Sequence, residues 1–122
     1  ADSFGSSVQH VAFETDDIFA TAEALAKNGF KALPMPDNYY DDLVARLAVG
    51  AEMIESLKRH SILYDEDKNG AYFQLYSRPF GDGIFFEIVE RRGGYAGYGA
   101  VNAPFRTAAQ RRLMRPASVP RK

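Results

Sequence analysis

Two side chains with metal-binding chemistry fall in segments that the sequence predicts to be strands. His10 lies in residues 8–15 (VQHVAFET), which are rich in β-forming residues, and Glu87 is the single carboxylate within residues 84–89 (IFFEIV). A carboxylate in apolar surroundings is costly unless a cation, a metal ion or several hydrogen-bond donors stabilise it. If both strands belong to one sheet and face one cavity, His10 and Glu87 meet there.

Both residues also have simpler explanations. Strand carboxylates usually lie at the surface, so Glu87 could face water or pair with an arginine. A lone strand histidine is more often a hydrogen-bonded core or surface residue than a ligand. The chain contains no cysteine, and its other histidine, His60, falls in a predicted surface helix. The residues alone therefore predict a His/Glu pair without a third protein ligand.

Composition and charge restrict the class of protein. The 122 residues are 46% hydrophobic and carry a formal net charge of −1, as expected for a single globular domain. No apolar run is long enough to cross a membrane, and we expect no membrane partner. Residues 105–122 are basic without interleaved aromatic residues, so we expect no nucleic-acid partner and a disordered tail at 115–122. The lack of cysteine is compatible with the cytoplasm, which is the predicted location.

The apolar pattern predicts the elements that position the candidate residues. Strands are predicted at 8–15, 30–33, 71–78 and 84–92. A helix is predicted from Asp16 or Asp17 to Asn28–Gly29, followed by helices at 39–47, at 51–60 and from Pro104 to about Met114. The order indicates an α+β fold with a four-stranded sheet, one face of which is left for a ligand, a partner or a second copy to cover.

Two glycine-containing stretches resemble known ligand loops and are interpreted otherwise. Asp65–Gly70 (DEDKNG) matches the opening of a calcium loop, but Tyr76 stands where the bidentate glutamate belongs, so a turn closed by Asn69–Gly70 is the better interpretation. Gly93–Gly99 (GGYAGYG) lacks the spacing of a nucleotide fingerprint. We therefore predict neither calcium nor nucleotide binding.

A series of motifs across residues 8–112 resembles the 4-hydroxyphenylpyruvate dioxygenase family. The motifs are VQHVAFETDDIF, YYDDLVAR, ILYDEDKNG, FQLYSRPFGD and FFEIVERRGG, in the family's order. The resemblance implies a single βαβββ vicinal-oxygen-chelate (glyoxalase/bleomycin-resistance-like) module with a helical insert and a C-terminal helix. The ending GGYAGYGAVNAPFRTAAQRR is similar to that of bacterial fusions of a 3-dehydroshikimate dehydratase barrel with a dioxygenase-like half.

The resemblance also implies a cofactor and a site. The family holds Fe(II) with two histidines and a glutamate, of which the second histidine falls on His10 and the glutamate on Glu87. Its first histidine lies in an upstream module, so residues 1–122 are expected to be the C-terminal module of a longer domain, inactive alone. A second copy of the chain is the alternative source of that ligand. The substrates implied are an aromatic 2-oxo acid and O2, and the matching substrate-binding residues are Gln9, Gln74, Tyr76 and Phe85.

Three functions remain open at this point. The first is an Fe(II)-dependent dioxygenase domain, and the second is a dioxygenase-like half of a 3-dehydroshikimate dehydratase with a supporting or different role. The third is a non-catalytic binding or dimerisation module. Ala103 stands where the family has a phenylalanine on its gating helix, which favours the second function. Tyr76 and Phe85 could equally be plain core residues.

Overall fold

The computed structural model describes residues 10–114, which form a four-stranded sheet and four α-helices. The strands are β1 (His10–Glu14), β2 (Leu63–Asp67), β3 (Gly70–Tyr76) and β4 (Phe85–Gly93). The helices are α1 (Ile18–Lys27), α2 (Asp37–Arg46), α3 (Ala51–Arg59) and α4 (Ala103–Met114), the last preceded by a 3-10 turn at Ala100–Asn102. The predicted α+β class is confirmed. Within this part of the chain, no helix has the length and apolar character needed to cross a membrane.

Among residues 10–114 the sheet has the strand order β1-β4-β3-β2, so within this part of the chain β1 is an edge strand next to the central β4. β1 runs parallel to β4, whereas β4 with β3 and β3 with β2 are antiparallel. The chain order is therefore βαβββ, with α2 and α3 inserted between α1 and β2. Because strand side chains alternate between faces, one face carries His10, Gln74, Tyr76, Phe85 and Glu87, and we call it the site face.

Helix α1 packs against the face opposite the site face. The Asp17 side chain accepts a hydrogen bond from the Ala20 backbone at 3.1 Å and caps the helix, as the sequence predicts. Ile18 and Ala22 are buried, and the Phe19 ring meets the Phe73 ring of β3 edge-on at 5.7 Å. This packing fixes β3 and β4 from behind and leaves their other side chains free to form the site.

One predicted strand is wrong and one real strand was missed. Residues 30–33 form only an isolated bridge between Ala32 and Ser77, because Pro34 and Pro36 follow directly and cannot donate to a ladder. The second strand of the module is β2, which pairs with β3 over its whole length. Its second half, Asp-Glu-Asp, is acidic and largely exposed, as suits an edge strand, and for that reason it resembles a loop in the sequence.

The predicted turn between β2 and β3 is confirmed. Lys68 and Asn69 form a two-residue turn, and Asp67 Oδ1 accepts hydrogen bonds from the backbone of Asn69 at 2.8 Å and of Gly70 at 3.0 Å. These backbone donors lower the pKa of the Asp67 carboxyl group. The acidic residues that resemble a calcium loop therefore have a structural task in the hairpin.

The chain's own C-terminal segment, residues 94–114, covers part of the site face. The Tyr95 ring stacks on the Tyr72 ring of β3, with centroids 5.1 Å apart and planes 6° apart. The Arg91 guanidinium lies over Tyr72 at 4.6 Å and donates to the carbonyl groups of Tyr95 and Gly97, both at 2.9 Å. These contacts bring the 3-10 turn and α4 over the strands. A ligand or partner therefore needs to cover only the rest of the site face.

Candidate functional site

A cavity of about 170 Å³ lies between the site face and the C-terminal segment. From the sheet it is lined by His10, Gln74, Tyr76, Phe85 and Glu87. From the C-terminal segment it is lined by residues 98–100, Ala103 and Arg106. The structure thus brings together five of the six predicted site residues. The sixth, Gln9, lies outside the described residues, as does the predicted tail 115–122.

His10 and Glu87 approach each other within this cavity. In the parallel pairing of β1 with β4, His10 is opposite Phe85 and Ala12 is opposite Glu87, so the two side chains lie diagonally on the same face. His10 Nε2 is 3.4 Å from Glu87 Oε1. Ligand atoms that share one metal ion, each ~2.0–2.2 Å from it, lie roughly 3–4 Å apart. The separation therefore fits two ligands of a single ion.

Gln74 fixes the orientation of the Glu87 carboxylate. Its Nε2 donates to Glu87 Oε2 at 3.0 Å and to the Tyr76 hydroxyl at 2.7 Å, while Glu87 Oε1 is directed at His10. Burial, with the Glu87 charge as the next cause, raises the pKa of the Tyr76 phenol. An oriented carboxylate is what a metal ligand requires from its surroundings.

Asn102 in turn fixes the orientation of Gln74. Its Nδ2 donates to Gln74 Oε1 at 2.9 Å, and its Oδ1 accepts from the Tyr39 hydroxyl at 2.8 Å. Asn102 has no exposed surface. Sequence reasoning missed this role, because an asparagine before Ala103 and Pro104 has the pattern of an ordinary helix cap. A chain of hydrogen bonds thus runs from Tyr39 of α2 through Asn102 and Gln74 to Glu87.

Gly99 is the point of closest approach of the C-terminal segment to Gln74. A Cβ atom at this position would lie 2.3 Å from Gln74 Oε1, and the residue has a φ of +68°. Only glycine meets both conditions without strain. A Cβ at Gly97 would similarly meet the Tyr95 hydroxyl at 2.6 Å. The glycines in residues 93–99 thus have a packing role beside the site.

Phe85 and Arg106 form the aromatic and cationic parts of the cavity. The Phe85 ring stacks on the His10 ring at 5.3 Å with planes 11° apart and meets the Tyr76 ring at 5.9 Å. The Arg106 guanidinium carbon is 5.4 Å from the Phe85 centroid and 5.7 Å from the Tyr76 centroid. In the sequence, Arg106 belongs to the basic stretch 105–122, and its residue type there does not indicate a place at the site.

The donor set suits part of an iron site. An imidazole and a carboxylate are two of the three ligands of the 2-His-1-carboxylate arrangement that holds Fe(II) in oxygenases. Among residues 10–114, no three His, Asp or Glu side chains are close enough together to hold a metal ion. His60 lies at a different cavity with Ala22 and Leu75. His10 and Glu87 therefore fit Fe(II) as two ligands, and a complete triad needs a third from outside the described residues.

Comparison with known proteins gives relatives in two groups. No family model matches the chain. It is 45% identical over 112 residues to a 3-dehydroshikimate dehydratase of Pseudomonas aeruginosa, covering 91% of this chain and 18% of that protein. It is 40% identical over 104 residues to the 4-hydroxyphenylpyruvate dioxygenase of Caenorhabditis elegans, covering 80% of this chain and 26% of that protein. The chain thus spans about a fifth to a quarter of these relatives.

Two solved structures share the fold. A fusion of a xylose isomerase-like TIM barrel with a 4-hydroxyphenylpyruvate dioxygenase matches with a TM-score of 0.79 and 43% identity, over 84% of this chain and 17% of that chain. A variant of 4-hydroxymandelate synthase from Streptomyces coelicolor matches with a TM-score of 0.73 and 33% identity, over 87% of this chain and 30% of that chain. The resemblance predicted from the sequence motifs, to the dioxygenases and to the dehydratase fusions, is confirmed.

Proposed function

We propose that this chain is the C-terminal module of an Fe(II)-dependent dioxygenase-like domain that oxidises an aromatic 2-oxo acid with O2. His10 and Glu87 are two of the three metal ligands in this proposal. The observation that carries it is the 3.4 Å approach of His10 Nε2 to Glu87 Oε1 in a cavity lined by aromatic rings. The similarity to 4-hydroxyphenylpyruvate dioxygenases, over 80% of this chain, supports the reaction class.

The chain's own residues have separate tasks in this proposal. Bound Fe(II) supplies the site at which the 2-oxo acid and O2 react. Gln74 keeps one carboxylate oxygen of Glu87 engaged and leaves the other directed at His10. The Phe85 ring restricts the plane of the His10 imidazole by stacking on it. Substrate contacts are assigned to Gln9, Gln74, Tyr76 and Phe85.

The third ligand comes, in this proposal, from an upstream module or from a second copy of the chain. The His10 side chain is 51% exposed, so an approaching ligand can reach the His10–Glu87 pair. On the other face of the same edge strand, Val11 and Phe13 are 47% and 51% exposed. Apolar side chains on an unpaired edge strand are typical of a surface that another element covers. A cytoplasmic location stays a prediction.

A second candidate is a supporting half of a 3-dehydroshikimate dehydratase. The similarity over 112 residues to a protein of that name and the TIM-barrel fusion structure favour it. Ala103 lines the cavity where the resemblance implies a larger aromatic residue, so the ligand could differ from 4-hydroxyphenylpyruvate. The third candidate, a binding or dimerisation module, is favoured by the exposed apolar residues of β1.

Oxygen uptake by the full-length polypeptide tests the first candidate. The protein is loaded anaerobically with Fe(II) and given phenylpyruvate or 4-hydroxyphenylpyruvate in an oxygen-electrode cell. We expect substrate-dependent O2 consumption that Glu87→Gln abolishes and His60→Ala retains. Equal consumption by the Glu87→Gln variant would contradict the proposal. No consumption with any aryl-pyruvate, together with intact dehydratase activity, would favour the second candidate.

A further inference from the structure

Among the described residues that line the cavity, Arg106 is the only lysine or arginine. The ion pairs found among the described residues involve His10, Arg46, Lys58 and Arg92, and none involves Arg106. Its hydrogen bond goes to an amide, from Nη1 to Gln110 Oε1 at 3.1 Å on the same helix. Within residues 10–114, this half-buried guanidinium lines the cavity without a carboxylate in ion-pair contact, so its positive charge is available to a ligand.

The state of Gln110 indicates how strongly Arg106 needs an acceptor. With its amide oxygen directed at Arg106, Gln110 Nε2 is buried and has no hydrogen-bond partner within residues 10–114. An unsatisfied buried donor is unfavourable. If the Gln110 amide were flipped, its Nε2 donors would face the N–H donors of the Arg106 guanidinium. Arg106 therefore donates to a neutral amide oxygen, which is a weaker acceptor for a guanidinium than an anion would be.

The charge of the cavity leads to the same conclusion. Glu87 is the single acidic residue among the lining residues that the structure describes, and it is already engaged by Gln74 and directed at His10. A divalent cation bound there, together with Arg106, would leave the cavity positive even after the carboxylate of a 2-oxo acid had bound. A substrate with a second negative charge would neutralise it.

We propose that Arg106 forms an anion subsite that binds a second carboxylate group, carried on the aromatic ring of the substrate. The guanidinium is held over the Tyr76 and Phe85 rings at 5.7 and 5.4 Å. A ligand ring packed against these two rings would present a ring carboxylate to the planar fork of the arginine, which suits two parallel hydrogen bonds. The charge balance of the cavity rests on the proposed function, whereas the Arg106 guanidinium and the two rings beside it are in place without a metal.

Binding of small probes to the full-length, metal-free polypeptide tests the subsite. Benzoate and the uncharged isostere benzamide are titrated by calorimetry into the wild type, into Arg106→Gln and into Arg111→Gln. Arg111 is exposed on the same helix and does not line the cavity, so its variant is a control for the loss of one positive charge. Thermal unfolding of each variant shows that the fold is retained.

We expect the wild type to bind benzoate roughly tenfold or more tightly than benzamide, because a charge-assisted bidentate contact is lost with the amide. Arg106→Gln should bring the ratio of dissociation constants close to one, and Arg111→Gln should leave it unchanged. Three results would overturn the proposal. They are a preference for benzoate over benzamide that persists in Arg106→Gln, no such preference in the wild type, or inorganic phosphate that binds as tightly as benzoate.

The outcome is separable from that of the proposed function. The probes are titrated without metal, so a benzoate preference that depends on Arg106 would stand even if no iron binds. Conversely, metal binding and O2 consumption that depend on Glu87 would stand if the preference were absent. A Glu87→Gln variant titrated with the same probes should keep at least the wild-type preference, because its substitution removes a negative charge from the cavity.

Discussion

Gln74 connects the two sides of the site because each end of its amide has separate partners. Glu87 and Tyr76 accept from its nitrogen, and Asn102 donates to its oxygen. The amide cannot rotate without placing like groups against each other on both sides. The Glu87 carboxylate is therefore oriented by residues that never touch a metal, and their loss should be measurable in stability.

Replacement of Asn102 by alanine should destabilise the fold by about 1–3 kcal/mol, because it leaves the buried Gln74 oxygen without its donor. The Tyr39 hydroxyl also loses one partner but keeps its hydrogen bonds with the Tyr64 backbone. The free energy of unfolding in urea measures the effect. The exposed Asn38 supplies the control, since Asn38→Ala should stay within about 0.5 kcal/mol of the wild type. Similar values for the two variants would show that Asn102 does not carry the network.

Replacement of Gly99 by alanine should destabilise the fold more than replacement of Gly81. Both glycines have a positive φ, +68° and +58°, so both alanines incur the left-handed backbone penalty of about 1–2 kcal/mol. Only at Gly99 would the Cβ clash with Gln74, whereas nothing lies within 4 Å of it at Gly81. We expect an additional cost of about 1–3 kcal/mol for Gly99→Ala in urea unfolding. Equal losses would contradict the close approach.

The sequence could identify the residues whose chemistry is unusual for their segment. Glu87 is a carboxylate in an apolar strand, and strand alternation places Gln74 with Tyr76 and Phe85 with Glu87. Arg106 and Asn102 could not be found this way. A basic residue in a basic stretch and an asparagine before a helix are both ordinary in sequence, and only their tertiary contacts reveal their roles.

Local sequence decided the boundaries of some helices and strands, and tertiary pairing decided those of others. Helix α1 follows from its cap at Asp17 and its stop at Asn28, both of which are local signals. Strand β2 exists because β3 offers it a partner, in spite of its three acidic residues. The C-terminal segment is positioned by Tyr95, whose hydroxyl bonds Asp65 at 2.5 Å and accepts from the Gly99 backbone at 3.1 Å.

The stability of the fold should fall as the pH rises from 10 to 12. Burial, with the hydrogen bond to Asp65 as the next cause, raises the pKa of Tyr95 to about 12. In the unfolded chain a tyrosine titrates near its usual ~10, so over this range the unfolded state loses its proton first and the free energy of unfolding decreases. Below pH 10 the contribution is fully present.

Urea unfolding at a series of alkaline pH values measures this slope. Tyr95→Phe removes the ionisable group and should flatten part of the dependence, while the other buried tyrosines, such as Tyr39 and Tyr40, keep the remainder. Tyr98 is 83% exposed and provides the matched control, because Tyr98→Phe should leave the slope unchanged. An unchanged slope in Tyr95→Phe would show that this hydroxyl is not the group that titrates.

Within residues 10–114, a two-ligand site and a sheet edge without a further paired strand coincide on β1. His10 presents half of its side chain to solvent on one face of this strand, and Val11 and Phe13 are exposed on the other. An element that docked along β1 would cover the apolar residues and approach the His10–Glu87 pair. We infer that the third ligand and the missing cover have the same source, whether an upstream module or a second copy.

The iron content of the full-length polypeptide tests whether His10 and Glu87 are metal ligands. After anaerobic loading with Fe(II) and removal of free metal, elemental analysis should find one iron per site in the wild type and in His60→Ala. His10→Ala and Glu87→Gln should each lower the affinity by more than the roughly 10- to 100-fold that loss of an outer-shell partner costs. Retention of wild-type iron in both of these variants would show that His10 and Glu87 do not bind the metal.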